Sequence, residues 1–421
     1  MTDRTRPDPT RRRMLARLGL ALGAAYAAPA LMRLDTARAS SGGSFSYSGP
    51  SRPRRRRAPP PRPEIVVSAP TAADIDRIAA AGFTVLSRAR IDLIGAEVAR
   101  FRLPAGVTPA QAPARVEQIS PGSLVDLNHV YRPGSLPCGD DGCAAFQMIG
   151  WPEPGEDCAG LPAIGMVDTT VNDGHAALAD VDVTRVPVLA EDRAAAGAIH
   201  GTAVAILIAG RGDSRTPGLL PRARLVVAEA FFRDARGQDA ADAFDIARAV
   251  AGLVERGVGV VNLSFSGPRN LVLERVVAAA LARDVILVAA AGNSGPRAEA
   301  LYPAAFEGVV AVTAVDSGER AWRQAAAGEH IDFAAPGVQL WTAASVSGGR
   351  FRSGTSFAAP FVTAALAVAR AREPGRPAAE IVEALAGRAR DLGAPGRDPT
   401  FGWGLVQAET GCGAGVAGDG A

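Results

Sequence analysis

Three residues that could together perform acyl transfer stand far apart in this sequence: Asp168, His200 and Ser356. Asp168 follows a short apolar run, and its carboxylate could accept a hydrogen bond from a histidine ring and fix the tautomer of that ring. His200 precedes the small Gly201, which leaves the ring approachable. Ser356 opens a predicted helix, where unpaired backbone N–H groups favour a developing oxyanion. These residue types predict a serine nucleophile that a histidine activates.

Each of the three also has a plain structural interpretation. An aspartate after a strand is often a turn residue or a helix cap, and a serine at a helix start is often only an N-cap. A histidine is more often structural than catalytic, and His129, His175 and His330 occur elsewhere in the chain. Taken singly, none of the three signals is specific.

Asn293 is a fourth candidate, in the small-residue stretch 289–295 after another apolar run. Its side-chain NH₂ could donate to the same oxyanion that the serine would create. The alternative is an ordinary turn asparagine in a glycine-rich loop.

Several other classes of protein lack the residues that they require. The chain contains no lysine, which excludes a Ser–Lys dyad and a Schiff-base lysine. Neither the H-E-x-x-H motif of zinc peptidases nor the G-x-S-x-G motif of esterases occurs. A formal net charge of +2 gives no strong field for nucleic acid, and 48% apolar with 21% charged residues is an ordinary globular balance.

The elements that must position the four candidates alternate along the second part of the chain. Continuous apolar runs at 164–167, 225–230, 258–263, 285–290 and 309–315 predict strands buried on both faces, and segments 240–256 and 271–283 predict helices between them. This pattern indicates an α/β fold with a doubly wound, mainly parallel sheet. Functional side chains of such sheets collect at the carboxyl ends of the strands.

A smaller unit precedes this part, between about residues 64 and 131. Its apolar runs and cap residues predict the order β-α-β-β-α-β, which is the ferredoxin-like α+β arrangement. Alone it could be a ligand-binding module. Its place ahead of the α/β part predicts a prodomain over 64–133 and a catalytic domain over 134–421.

With these motifs in place, the chain resembles the subtilisin-like serine peptidases (subtilases) over nearly all of residues 163–408. The triad order Asp, His, Ser is the subtilisin order. The resemblance rests on V-D-T-T-V at 167–171, H-G-T-A-V-A at 200–205, N-L-S-F-S-G-P at 262–268, A-A-A-G-N at 289–293 and G-T-S-F-A-A-P at 354–360.

The resemblance implies a role for each candidate. Ser356 is the nucleophile, His200 the general base and acid, Asp168 the orienting carboxylate, and Asn293 the side-chain donor to the oxyanion. The N-terminal unit resembles the inhibitory prodomain of the family, so the chain is expected to be made as a zymogen and to cut itself between Tyr131 and Cys138. Its partners would then be protein or peptide substrates and its own prodomain.

The resemblance also implies a substrate pocket made of small and apolar residues, which predicts a preference for an uncharged residue before the cleaved bond. The residues that correspond to its walls and base are Ser264, Phe265, Ser266, Ala290, Ala291, Gly292 and Leu301.

One departure from the family pattern supports a second hypothesis. Thr170 stands where the family has glycine, and a β-branched residue fits poorly wherever the backbone needs a positive φ. A displaced Asp168 would leave a catalytically impaired relative that acts as a binding or scaffold protein.

The N-terminus predicts export to the periplasm or beyond. Residues 10–15 resemble a twin-arginine motif, a short apolar stretch follows, and Ala37-Arg38-Ala39 predicts cleavage after residue 39. The apolar stretch is short for a membrane helix and is interrupted by Arg17, so no stable membrane span is expected after removal of the signal. Residues 40–63 are Arg/Pro-rich and predict a disordered linker.

In an exported protein, four cysteines predict two disulfides. Cys138–Cys143 with Cys158–Cys412 is the expected choice among three connectivities, and a zinc site is the alternative. Catalysis needs no cofactor. The family often binds calcium, but the sequence allows no calcium ligand set to be assigned.

Overall fold

The computed structural model describes residues 63–133, 136–137, 144–151, 161–190, 193–344 and 348–408. The predicted signal, the linker up to residue 62 and all four cysteines lie outside these residues, and so do the disulfide and zinc hypotheses. Within them, no helix is both long and apolar enough to cross a membrane.

The N-terminal unit, residues 64–127, is an antiparallel sheet with two helices. Its elements are β1 (Glu64–Ala69), α1 (Ala72–Ala80), β2 (Thr84–Ile91), β3 (Ala96–Arg102), α2 (Ala112–Ile119) and β4 (Leu124–Leu127). The sheet order is β2-β3-β1-β4, which is the order of a ferredoxin-like unit. Thr71 starts α1 with a capping box to Asp74, and Gly82 adopts a φ of 97° just after the helix ends.

The segment after this unit leaves the sheet formed by β1 to β4. It forms two short strands and one helix: β5 (Val130–Pro133), β6 (Leu136–Pro137) and α3 (Ala144–Met148). The pattern of alternating residues identifies a strand but not its partner, and a turn in which the His129 N–H donates to Leu127 O separates β4 from β5.

The remaining strands belong mostly to one large sheet. They are β7 (Ile164–Asp168), β8 (Val183–Pro187), β9 (Leu225–Glu229), β10 (Phe232–Arg233), β11 (Asp239–Asp242), β12 (Val260–Leu263), β13 (Phe265–Ser266), β14 (Ile286–Ala290), β15 (Val310–Val315), β16 (Phe333–Pro336), β17 (Leu340–Ala343) and β18 (Gly349–Ser353). The order β16-β15-β14-β12-β7-β9-β8 makes a seven-stranded sheet with parallel neighbours throughout. The predicted α/β fold is confirmed.

Helices cover both faces of this sheet, as its buried strands require. They are α4 (Ile199–Ala209), α5 (Ala243–Glu255), α6 (Leu271–Leu281), α7 (Thr355–Arg372) and α8 (Ala378–Ala386). One apolar core lies on each face of the sheet, and consecutive residues of β12 pack into opposite cores. Val260 packs with α4 and α7 on one face, and Val261 packs with α5 and α6 on the other. The helix α5 begins at Ala243 rather than at residue 240, because Asp242 caps it by accepting from the Asp245 N–H.

The N-terminal unit lies against the starts of α5 and α6. Asp126 Oδ2 accepts from the Leu271 N–H at 3.0 Å, and Asn128 Oδ1 accepts from the Phe244 N–H at 3.4 Å. Both helices therefore satisfy N-terminal donors with side chains from outside the α/β part.

A buried charge cluster forms at the same contact. The Arg100 side chain is fully buried and lies between Glu64 and Asp242, with N···O distances of 3.3 and 3.5 Å. Arg193 joins them at 2.5 Å from Asp242. Asp245 is fully buried beside them, and burial, followed by the negative Asp242, raises the pKa of its carboxyl group from 3.8 to about 7.

Asp245→Asn should therefore change how stability depends on pH. Between about pH 4 and pH 7 the native carboxyl group holds a proton that the unfolded one has released, so this group lowers wild-type stability as the pH rises. Urea unfolding midpoints would be measured with and without Asp245→Asn on an inactive Ser356→Ala background. The midpoint of the variant relative to its parent should be higher at pH 8 than at pH 5. The exposed Asp76→Asn should show no such difference, and an equal effect of Asp245→Asn at both pH values would contradict the prediction.

Candidate active site

Asp168 and His200 meet at the carboxyl edge of the sheet. Asp168 is the last residue of β7, His200 lies in the first turn of α4, and His200 Nδ1 is 2.7 Å from Asp168 Oδ1. Both side chains are buried, and an ionised carboxylate can only accept, so Nδ1 carries the proton. The buried Nε2 then carries a lone pair, and it has no hydrogen-bond partner among the described residues.

The backbone around Asp168 is fixed by its neighbours. Asp168 Oδ1 also accepts from the Thr169 N–H at 2.7 Å, and Thr169 Oγ1 accepts from the Gly201 N–H at 2.8 Å. A Cβ on Gly201 would lie 2.4 Å from Thr169 O, so only glycine lets α4 approach β7 this closely.

Thr170 does not displace Asp168. Among the described residues, the non-glycine positions with positive φ do not include Thr170, so the condition for strain is not met. The next residue, Val171, donates its N–H to Glu229 Oε1 at 3.1 Å, and Arg185 holds the same carboxylate with two hydrogen bonds. This support for the loop was not foreseen from the sequence.

Ser356 lies in the first turn of α7 and is fully buried. Its carbonyl oxygen accepts from Ser264 Oγ at 2.7 Å, and Ser264 Oγ accepts from Asn262 Nδ2 at 2.8 Å. Thr363 Oγ1 donates to Asn262 Oδ1 at 3.0 Å and closes the network. The ring of Phe357 lies 5.3 Å from the His200 ring, so the start of α7 lies beside the histidine.

Asn293 is oriented by the residue that precedes Ser356. Its Oδ1 accepts from the Thr355 N–H at 3.0 Å and from Thr355 Oγ1 at 2.9 Å, and Thr355 Oγ1 accepts from the Gly292 N–H at 3.1 Å. With the amide oxygen engaged on α7, the NH₂ group is the end of Asn293 left to donate to a substrate. Thr355 belongs to the G-T-S motif, but its orienting contact could not be inferred from spacing.

Three of the expected pocket residues come together. A Cβ built on Gly292 would lie 2.5 Å from Leu301 Cδ1 and 3.3 Å from Ser266 Oγ. Leu301 therefore fills space that a larger pocket would leave open.

The other expected pocket residues have different surroundings. Phe265 lies in β13, which pairs with β5, while Ala290 ends β14 and is buried together with Ala291, which follows it. The hydroxyl of Ser264 donates to the carbonyl oxygen of Ser356, so this side chain links the segment before β13 to the first turn of α7.

Within the described part of the chain, no group of three or more His, Cys, Asp or Glu side chains is arranged to hold a metal ion.

Residues 161–404 match the model of the subtilase family. Subtilisin BL of Lederbergia lenta is 33% identical over 212 residues, which cover 50% of this chain and 76% of that protein. The minor extracellular protease Epr of Bacillus subtilis is 30% identical over 210 residues, 49% of this chain but only 32% of the relative. The match thus spans about a third of Epr.

Solved structures agree on the fold. Fervidolysin from Fervidobacterium pennivorans, described as a keratinolytic enzyme related to subtilisin, superimposes with a TM-score of 0.69 at 22% identity. The superposition covers 82% of this chain and 60% of fervidolysin.

Thr355→Val should lower kcat about tenfold with little change in KM, because it removes the hydroxyl that orients Asn293. Asn293→Ala should cost about 10²–10³ in kcat, the loss known for such a donor in subtilisin itself. In the Asn293→Ala background, Thr355→Val should have almost no further effect. Two fully independent losses in this double-mutant cycle would show that Thr355 does not act through Asn293.

Proposed function

The chain belongs to the subtilase family, and we propose that it is a serine endopeptidase in which Ser356, His200 and Asp168 form the catalytic triad. The observation that carries this proposal is the buried bond between Asp168 and His200, which leaves the His200 Nε2 lone pair beside the first turn of α7. A histidine in this tautomer is a general base, and the first turn of α7 presents a serine.

Each step of peptide hydrolysis then has a group in this site. Ser356 Oγ attacks the substrate carbonyl carbon while His200 Nε2 takes its proton, and Asp168 stabilises the resulting imidazolium. His200 returns the proton to the leaving amine, which frees the C-terminal part of the substrate. Water then attacks the acyl-enzyme by the same route and releases the N-terminal part.

The oxyanion that forms in both steps needs donors placed in advance. Asn293 Nδ2 and the Ser356 N–H are the proposed pair, and their positions follow from the Thr355 contacts and from the start of α7. Such donors stabilise the tetrahedral intermediate more than the planar carbonyl group, so they raise kcat rather than substrate affinity.

The substrate pocket is proposed between Ser266, Gly292 and Leu301. None of these three residues is charged, and the closeness of Leu301 to Gly292 limits the depth of the pocket. We expect an uncharged residue of modest size before the cleaved bond.

The alternative, an impaired relative that only binds, depended on strain at Thr170. Thr170 does not have a positive φ, and Asp168 is hydrogen-bonded to His200, so the reason for considering an impaired relative is absent. Substrates of this chain are accordingly proteins or peptides that it hydrolyses.

The N-terminal unit is proposed to be an inhibitory prodomain, and two pairings of the chain that follows it support this role. The strand β5 lies between β11 and β13, with Arg132 opposite Ser266 and Pro133 opposite Phe265. The strand β6 pairs with β18, with Leu136 opposite Ser353, just ahead of Ser356. A bound substrate would use the same strand edges, so the chain occupies its own cleft.

These registers narrow the expected cleavage site. Pro133 lies opposite Phe265 of β13, Leu136 lies opposite Ser353 of β18, and the candidate nucleophile follows β18. Self-cleavage between these two residues would separate the prodomain from the catalytic part. Export through the predicted signal would place the mature enzyme in the periplasm or outside the cell.

Ser356→Ala should abolish both self-cleavage and peptide hydrolysis while the fold is retained. Intact mass and circular dichroism of the exported protein would test this, with the exposed Ser317→Ala as the matched control that processes normally. Wild-type hydrolysis by Ser356→Ala would refute the assignment.

The mature N-terminus of the wild-type protein should be Gly134, Ser135 or Leu136. Sequencing the purified mature protein tests this directly. A mature chain that begins elsewhere would show that β5 and β6 do not mark the scissile region.

A further inference from the structure

We propose that Arg352 is a specificity-determining residue that binds a substrate carboxylate on the leaving-group side of the scissile bond. This inference rests on the proposed peptidase function and names a feature of the substrate that the triad and the pocket do not set.

Arg352 lies in β18, four residues before Ser356, and its buried side chain forms no ion pair with the residues that the structure describes. The residue is 7% exposed, and Nε and Nη2 are buried with no hydrogen-bond partner among the described residues. Burying a guanidinium in this way costs free energy that a carboxylate would offset. Burial, and then the nearby positive Arg350, lower the pKa of Arg352 below its usual value.

The strand pairing defines where a carboxylate could reach Arg352. Residues directly opposite each other in an antiparallel pair project from the same face of the sheet. Arg352 is opposite Leu340 of β17 on one side and opposite position 137 of β6 on the other. Leu340 is a buried apolar residue and offers no charge, so the position on the β6 side remains.

The face of the β17-β18-β6 sheet that carries Arg352 is directed toward α4, the helix that contains His200. Thr342 lies on this face of β17, opposite Arg350, and its Oγ1 donates to Ala203 O in α4 at 2.8 Å. The other face carries Phe351, whose ring packs 4.8 Å from Trp341. Arg352 therefore lies between the helix of His200 and the strand edge along which the leaving part of a substrate would run.

Arginine is suited to this task because its planar guanidinium can donate two parallel hydrogen bonds to one carboxylate. Arg350, two residues away on the same face, adds positive charge that would attract an acidic segment. The carboxylate could be an acidic side chain at the position of residue 137 or the C-terminal carboxylate of a short substrate.

Peptides with the chain's own sequence 128–137, extended by Ser-Gly-amide, provide the test. Position 137 is changed as Pro137→Glu, Pro137→Gln or Pro137→Lys. The value of kcat/KM for each peptide is measured with mature enzyme that has processed itself from the full-length chain. For the wild-type enzyme, kcat/KM should be at least about tenfold higher for the Glu peptide than for the Gln peptide. A charge-assisted hydrogen bond in a buried site contributes a binding free energy that corresponds to about this factor. The Lys peptide should be the poorest substrate.

Enzyme variants assign the preference to Arg352. Arg352→Gln should bring the Glu/Gln ratio close to one, Arg352→Lys should keep part of it, and the exposed Arg256→Gln should keep all of it. A further pair of Gln peptides that end at position 137, one a free acid and one an amide, separates a chain-terminal carboxylate from an acidic side chain.

The outcomes distinguish this inference from the proposed function. A wild-type ratio near one, or a ratio that Arg352→Gln leaves unchanged, overturns the role of Arg352 while cleavage of the Gln peptide still supports the peptidase. If no peptide or protein is cleaved by the processed chain, the proposed function fails and this inference fails with it.

Discussion

The hydrogen bond between Asp168 and His200 is the constraint on which the rest of the site depends. It requires a carboxylate at the end of β7 and a histidine in the first turn of α4, buried together with 2.7 Å between Asp168 Oδ1 and His200 Nδ1. Gly201 is needed for that approach, and Thr169 fixes both backbones. The seven-stranded parallel sheet meets this requirement because its strand ends and helix starts share one edge. Phe357 then brings the start of α7 to the same histidine.

A second feature of this region is the pair of strand edges that lie beside the site, those of β13 and β18. The chain's own β5 and β6 pair with these edges, whose backbone donors and acceptors could equally bind another extended strand. The N-terminal unit is held nearby by helix caps at α5 and α6 and by the buried cluster around Arg100. Inhibition by a prodomain and recognition of a substrate would thus use the same edges.

The large elements and the candidate triad could be predicted from the sequence because they depend on local signals. Buried strands appear in the sequence as apolar runs, and the motifs around Asp168, His200 and Ser356 are distinctive. Three features depend on tertiary proximity, so no local pattern could reveal them: the partner of β5, the orienting contacts of Thr355, and the burial of Arg352 without a carboxylate partner in the described part of the chain. The concern about Thr170 was also local, and the backbone there resolved it.

The most direct test of the central claim is active-site labelling of the processed protein with a fluorophosphonate probe, followed by peptide mass spectrometry. A serine activated by a histidine reacts with this electrophile, whereas an ordinary N-cap serine does not. The account predicts one label per chain, on Ser356, and its loss in His200→Ala. Labelling of a different residue, or a processed wild-type chain that takes up no label, would contradict it.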